Sequence, residues 1–298
     1  MGDAANVLNQ LSNVLESRAR EASSVVVAIR NSSHQHVTGL QWSPEAVITS
    51  EQAVGERNEY EIVTATGDAV RARIAGRDAG TNLLVLKPER VLSPAPRVRG
   101  EARPGALALA LGADVDGTVT ARLGIINAVG PQWCSRAGGR IEQRIALDIR
   151  LGRTEEGGPV LDARGALLGM STLGPPGQVL AIPYATIDRI VPQLLRDGRV
   201  TRGWLGVGLR PVAVPDALHD VAGQPAGMMV MSIVAGGPAA SAGVVAGDIL
   251  LTVNGASVRG IRRLTAQLDE ASVGRTIELR LIRGGEVLSV EASVAARP

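Results

Sequence analysis

Apolar residues along this chain change their period twice, and each change marks a boundary. Over residues 4–21, Val7, Leu8, Leu11, Val14, Leu15 and Ala19 recur at spacings of three and four, which predicts one apolar face of a helix. Asp3 is placed to cap it. From Ser24 the period falls to two. Ser24–Arg30, Ala46–Thr49, Tyr60–Thr64, Ala69–Ile74 and Leu83–Leu86 read as short strands, separated by turns such as Thr66-Gly67-Asp68 and Asp78-Ala79-Gly80. The pattern repeats in Leu107–Leu111, Thr118–Ala128, Arg140–Leu147, Pro159–Leu161 and Ala166–Ser171. Two consecutive β halves of similar size predict two barrels. Helical spacing then returns over Ala185–Leu195, with Gly198 at the expected C-terminal position.

The composition resets at Arg202-Gly203-Trp204. Beyond it, strands are expected near Gly206–Pro211, Gly227–Ile233, Asp248–Val253, Thr276–Arg283 and Glu286–Val294, with short helices at Ala239–Ala242 and Ile261–Glu270. That mix suits one compact α+β domain. The expected division is 1–22 as an N-terminal helical extension, 23–197 as a double barrel and 203–297 as the α+β domain.

Composition narrows the chemistry. The chain has 298 residues, and hydrophobic residues make up 45% of it, but it contains no Phe and only 2% aromatics. Its cores must therefore be built from Val, Leu, Ile and Ala. A net charge of +2, with charges interspersed and without aromatic interleaving, argues against nucleic acid as a partner. One Cys excludes an internal disulfide framework. No run approaches the roughly 20 apolar residues of a membrane span. The N-terminal stretch lacks the basic front and apolar block of a signal peptide. The expected location is cytoplasmic as the sequence stands, or periplasmic if a targeting segment was removed. No cofactor is indicated. The 4–21 helix either packs on its own body or contacts an identical or different partner chain.

Several segments carry a family resemblance. VLAIPYATIDRIVPQLLRDGRVTRGWLGV, the frames Thr49-Ser50-Glu51-Gln52-Ala53-Val54 and Thr81-Asn82-Leu83-Leu84-Val85-Leu86-Lys87, and the turn Thr154-Glu155-Glu156-Gly157-Gly158-Pro159 together resemble the HtrA/DegP group. These are trypsin-like serine proteases with a C-terminal PDZ domain. The resemblance covers about residues 22–296. It implies a mostly β fold, a trypsin-like double β-barrel followed by an α+β PDZ domain. It also implies that the histidine, aspartate and serine of the family's triad fall at Gln52, Asn82 and Glu156. The family's trimer contact uses aromatic residues near the start of the protease domain. This chain has no Phe there, and its two Tyr, Tyr60 and Tyr184, lie elsewhere.

A Ser-His-Asp site needs a nucleophile, a proton acceptor and a carboxylate that orients it. Gln52 has no titratable group, Asn82 carries no charge, and Glu156 puts bulk and negative charge where an oxyanion would develop. Thr154 also replaces a glycine in a turn expected to need unusual backbone angles. The expectation is therefore an inactive protease homologue, not an enzyme, that acts as a protein-binding scaffold, chaperone-like or regulatory factor. The alternative is a protease or other hydrolase with a rearranged site. On a strand His34 and His36 would share one face, but no third metal ligand is evident nearby, and an ordinary surface loop is expected there. Cys134 reads as a free thiol without a neighbouring base, and His219 as an exposed surface residue. Glu155 and Glu156 are adjacent on a turn and should point apart. In the PDZ-like region the resemblance assigns carboxylate capture to the backbone of Leu205, Gly206 and Val207, with protein or peptide C-termini as partners. Ile261, Leu264 and Leu268, spaced on one helix face, are expected to line the pocket for the last side chain.

Overall fold

The computed structural model describes the chain except residues 1, 33–34, 56, 58, 95–97, 136, 176, 270–271 and 298. It divides into two compact units, residues 1–133 with 141–200, and residues 134–140 with 201–298.

The first unit begins with helix α1 (Gly2–Ala22). Strands β1 (Val26–Ser32), β2 (Gln35–Ser43), β3 (Ala46–Ser50), β4 (Glu59–Thr64), β5 (Ala69–Asp78) and β6 (Leu83–Pro88) close into a barrel in the order β1-β2-β3-β6-β5-β4. Strands β7 (Leu107–Ala113) and β8 (Val119–Gly130) open the second barrel. A short ribbon follows, β9 (Trp133–Cys134) with β10 (Arg140–Ile141). Strands β11 (Arg144–Asp148), β12 (Pro159–Asp162), β13 (Leu167–Leu173) and β14 (Val179–Pro183) complete that barrel in the order β11-β14-β13-β12-β7-β8. Taken in chain order, both barrels have one strand order, as the repeated period-two pattern suggested. Every barrel strand pairs on both sides, so neither barrel has an open edge.

Aliphatic side chains fill both barrels. Val27, Ile29, Val47, Ile62 and Leu84 pack inside the first, and Ala110, Ile126, Ile145, Leu147 and Val160 inside the second. A third cluster joins the barrels through Leu40, Ile48, Leu111 and Met170. Ile187, Ile190, Val191 and Leu194 of helix α2 (Tyr184–Asp197) belong to the same cluster. Gly198 ends α2 in the left-handed conformation at φ 70°, and its amide donates to the Leu194 carbonyl. Tyr184 and Trp42 supply a rare aromatic contact, with ring centroids 4.9 Å apart.

α1 extends the expected 4–21 helix by a residue or two at each end. Ala19 and Ala22 pack on the core, whereas Val7, Leu8, Leu11 and Val14 remain exposed. β2 and β14 were absent from the expected strands, and the stretch carrying His36, expected as a surface loop, is part of β2.

In the second unit, β15 (Gly203–Trp204) pairs with β22 (Ala295–Ala296). The main sheet comprises β16 (Val207–Ala213), β17 (Ala226–Ile233), β18 (Ile249–Val253), β20 (Thr276–Arg283) and β21 (Glu286–Ser293) in the order β16-β17-β18-β20-β21. Strand β19 (Ala256–Ser257) pairs with β18. Helices α3 (His219–Ala222), α4 (Pro238–Ser241) and α5 (Ile261–Gln267) complete it. The expected strands lie within two residues of the observed ones. α5 ends at Gln267, and Glu270, the expected helix end, lies outside the described residues.

Candidate functional site

Gln52, Asn82 and Glu156, separated by up to 104 positions in sequence, meet in one hydrogen-bonded cluster in the first unit. Gln52 lies in a 3₁₀ turn just after β3, and Asn82 lies just before β6. β3 and β6 pair with Ser50 opposite Leu83, which brings the two residues together. The Asn82 side-chain oxygen accepts from the Gln52 amide at 2.9 Å. Asn82 sits at φ 56°, a left-handed conformation that asparagine tolerates better than most residues.

Glu156 is the hub and is only 3% exposed. Its Oε1 accepts from Ser50 Oγ at 2.7 Å, Gln52 Nε2 at 2.6 Å, Thr172 Oγ1 at 2.9 Å and the Leu173 amide at 3.0 Å. Asn82 Nδ2 donates to Ser50 Oγ at 2.8 Å and to Thr172 Oγ1 at 2.7 Å, which leaves each hydroxyl's own O–H directed at the carboxylate. Gln52 Nε2 also donates to the Leu173 carbonyl at 2.8 Å. A buried carboxylate is tolerable only with such partners. Sequence reasoning missed Ser50 and Thr172. No motif marks them: Ser50 ends β3 of the first barrel and Thr172 lies in β13 of the second, and only the packing of the two barrels brings both to Glu156.

The turn before Glu156 is a 3₁₀ turn over Arg153–Glu155. This corrects the expectation for Thr154. No residue of that turn has positive φ, and the left-handed position falls on Gly157 at φ 96°. A Cβ on Gly157 would lie 2.3 Å from the Thr38 carbonyl oxygen, and one on Gly158 would lie 1.9 Å from that of Leu111. Both glycines are therefore dictated by close approach of backbone. Glu155 turns the other way, as expected. It accepts from Arg122 Nε at 2.8 Å and from the Gly152 amide at 2.7 Å, so the neighbouring carboxylates do not form a pair.

Glu156 and Gln52 line a cleft of about 630 Å³ together with His36, Tyr60, Arg153 and Thr154. His36 Nε2 lies 3.1 Å from the Ala113 carbonyl oxygen. His34 lies outside the described residues. Among the described residues no group of three or more His, Cys, Asp or Glu could hold a metal ion.

In the second unit, Gly206 adopts φ 75°, and its carbonyl accepts from Val234 while that of Leu205 accepts from Ala239. These bonds fix the loop leading into β16. Among the described residues that strand pairs only with β17, and no strand of theirs lies along its other edge. Leu264 and Leu268 are buried in the core of this unit, Leu268 falls just past α5, and Ile261 is 51% exposed. Of the three residues expected to line a pocket, two thus serve the core, and Ile261 alone presents a free apolar surface. Cys134 is a free thiol, and burial pushes its pKa up. His219 Nε2 lies 2.8 Å from the Val214 carbonyl oxygen, so the ring is anchored to the backbone and not merely solvated.

Residues 37–170 match the trypsin-like peptidase domain family, and residues 203–294 match the PDZ domain family. The chain is 31% identical over 264 residues to the probable periplasmic serine endoprotease DegP-like of Brucella suis, covering 85% of this chain and 50% of that protein. The protein of the same name from Bartonella henselae is 30% identical over 265 residues, covering 85% and 51%. The chain thus spans about half the length of the curated relatives it matches. Among solved structures, the serine endoprotease from Yersinia pestis has a TM-score of 0.74 and 25% identity, covering 95% of this chain and 98% of that one. An HtrA-type protease, AlgW, solved with a decapeptide has a TM-score of 0.75 at 24% identity, covering 95% and 99%, which supports the fold. These likenesses overturn the expectation that the chain is not an enzyme. The relatives that match most of its length are named serine endoproteases.

Proposed function

We propose, for a chain whose trypsin-like peptidase domain precedes a PDZ domain as in the HtrA/DegP-like proteins, that it captures protein C-termini and hydrolyses polypeptide at a site other than a Ser-His-Asp triad. The open edge of β16 beside the Leu205-Gly206-Val207 loop carries this reading. A peptide strand can add to that edge through main-chain hydrogen bonds, and backbone amides at a positive-φ glycine suit a terminal carboxylate. Ile261 is available to an apolar side chain near the peptide's end. The decapeptide in the AlgW structure is consistent with peptide capture by this architecture. The peptidase part rests on the names of the relatives and on the cleft lined by Gln52 and Glu156. The relatives are named periplasmic, which favours the periplasmic over the cytoplasmic location. No helix of the described residues is long and apolar enough to cross a membrane.

Calorimetric titration of the full chain with peptides ending in an apolar residue tests the capture. Peptides with a free carboxylate should bind, and their C-terminally amidated counterparts should lose at least about tenfold in affinity, as expected when a charge-assisted contact is removed. Equal binding of the two, or none, would contradict it.

A further inference from the structure

We propose that Glu156 activates a water molecule for peptide hydrolysis, with Gln52 orienting that water and Arg153 facing the oxyanion. This deepens the peptidase reading given above and rests on it. Four donors hold Oε1 of Glu156, but among the described residues none reaches Oε2. Oε2 is nevertheless not sealed in protein, and Glu156 lines the cleft, so this oxygen is the one that meets it. The same division occurs in Gln52. Its Nε2 is committed to Glu156 and to the Leu173 carbonyl, while its Oε1 accepts from no described residue on a side chain that lines the cleft. Gln52 and Glu156 are locked side by side at 2.6 Å. One water can therefore donate to Gln52 Oε1 and to Glu156 Oε2 and keep a lone pair for attack.

Arg153 is exposed and lines the same cleft, and it makes no ion pair or hydrogen bond with a described residue. Its cation is thus open to negative charge that develops there. Burial in the hydroxyl and amide cluster keeps the carboxylate in a single orientation, which a general base requires.

The step balances without a further reactant. Water gives one proton to Glu156 Oε2 as its oxygen bonds to the peptide carbonyl carbon. The carbonyl π pair moves to oxygen, forming a tetrahedral oxyanion that faces Arg153. On collapse the C–N bond breaks, and Glu156 returns its proton to the leaving nitrogen. A carboxylic acid and an amine result, and no acyl-enzyme forms. Ser50 cannot serve as the nucleophile instead, because it is fully buried beneath Glu156.

The full-length protein, incubated with unfolded casein and with internally quenched peptides, provides the test. Hydrolysis should resist a serine-directed fluorophosphonate, and intact mass spectrometry during turnover should show no acyl adduct. Glu156→Gln, nearly equal in shape, should lower kcat on the order of 100-fold or more. Arg153→Ala, an exposed change that leaves folding untouched, should lower kcat on the order of tenfold to 100-fold with KM little altered. Unchanged melting temperatures would show that both variants fold. No turnover by the wild-type chain, an acyl adduct, or full activity in Glu156→Gln would each overturn the proposal. Because peptide binding is read separately by calorimetry, loss of hydrolysis with retained carboxylate-dependent binding removes the water-activating site while leaving C-terminal capture intact. Turnover that survives in Glu156→Gln removes the site while leaving the peptidase reading intact.

Discussion

At the scale of single residues, the cluster around Glu156 is held by groups that cannot be exchanged freely. Truncating Glu156 to Ala would leave Ser50, Thr172, Gln52 and the Leu173 amide without their shared acceptor. A stability loss of about 1–3 kcal/mol is expected, since buried donors left unpaired are costly, and urea denaturation would read it. Gly158→Ala should be at least as damaging. Its Cβ would fall 1.9 Å from the Leu111 carbonyl oxygen, so backbone must move, at a cost of roughly 1–3 kcal/mol or more. A Gly158→Ala protein as stable as the parent would show that this approach is looser than the structure indicates. The residues of this site were half legible in the sequence. Gln52, Asn82 and Glu156 stand out because the frames around them resemble a family pattern. Ser50 and Thr172 do not, because one ends β3 of the first barrel and the other lies in β13 of the second, and they meet at Glu156 only where the two barrels pack. The strain expected at Thr154 was likewise misplaced. A local pattern does not show which residue of a turn carries positive φ, and here Gly157 does.

Among the elements, most barrel strands were visible as short β-type runs bounded by turns, whether alternating like β5 or buried throughout like β3, but β2 and β14 were not. β2 escaped notice because Thr38 and Gln41 are polar yet buried, so the period of two is broken. Each is satisfied at distance, Thr38 Oγ1 donating to the Thr154 carbonyl and Gln41 Nε2 to that of Ser93. β14 is a short apolar run that leads through Pro183 directly into the helix Tyr184–Asp197, so no turn signal sets it apart as a strand. α5 was overextended because Leu268 continues the helical spacing, although its backbone leaves the helix and its carbonyl accepts from Gly203. Gly206→Val places a β-branched residue at φ 75° at the mouth of β16, and should abolish peptide binding in calorimetry while the domain still folds. The start of β18 is tied to the end of β20 by Asp248, whose carboxylate accepts from Arg283 at 2.8 Å. Burial alone would raise the Asp248 pKa, but the bonds from Arg283 and the Val245 amide outweigh it and hold it below the ordinary 3.8. The ionised form is thus favoured by folding. The stabilisation is complete above the unfolded-state value and is lost as pH falls through the lower, folded one. Thermal melts of Asp248→Asn should therefore show a deficit of about 1.5–3 kcal/mol near neutral pH that shrinks in acid below the ordinary aspartate range. A deficit independent of pH would contradict this.

The whole molecule consists of two barrels of one strand order carrying the cleft, a PDZ domain with an open sheet edge, and an N-terminal helix whose first half exposes Val7, Leu8, Leu11 and Val14. The repeated architecture was legible because it depends on summed patterns and not on any single contact. If the helix face mediates association, Leu8→Asp with Leu11→Asp should lower the sedimentation coefficient of the full chain, whereas an unchanged value would place the contact elsewhere or nowhere. In the proposed function one chain both captures a C-terminus and hydrolyses the polypeptide that carries it. The most direct measurement compares the rates at which the full-length protein cleaves one unfolded polypeptide with a free C-terminus and with an amidated one. Tethering through the PDZ domain should make kcat/KM for the free form larger by on the order of tenfold or more. Equal rates for the two forms, or cleavage of neither, would contradict the account.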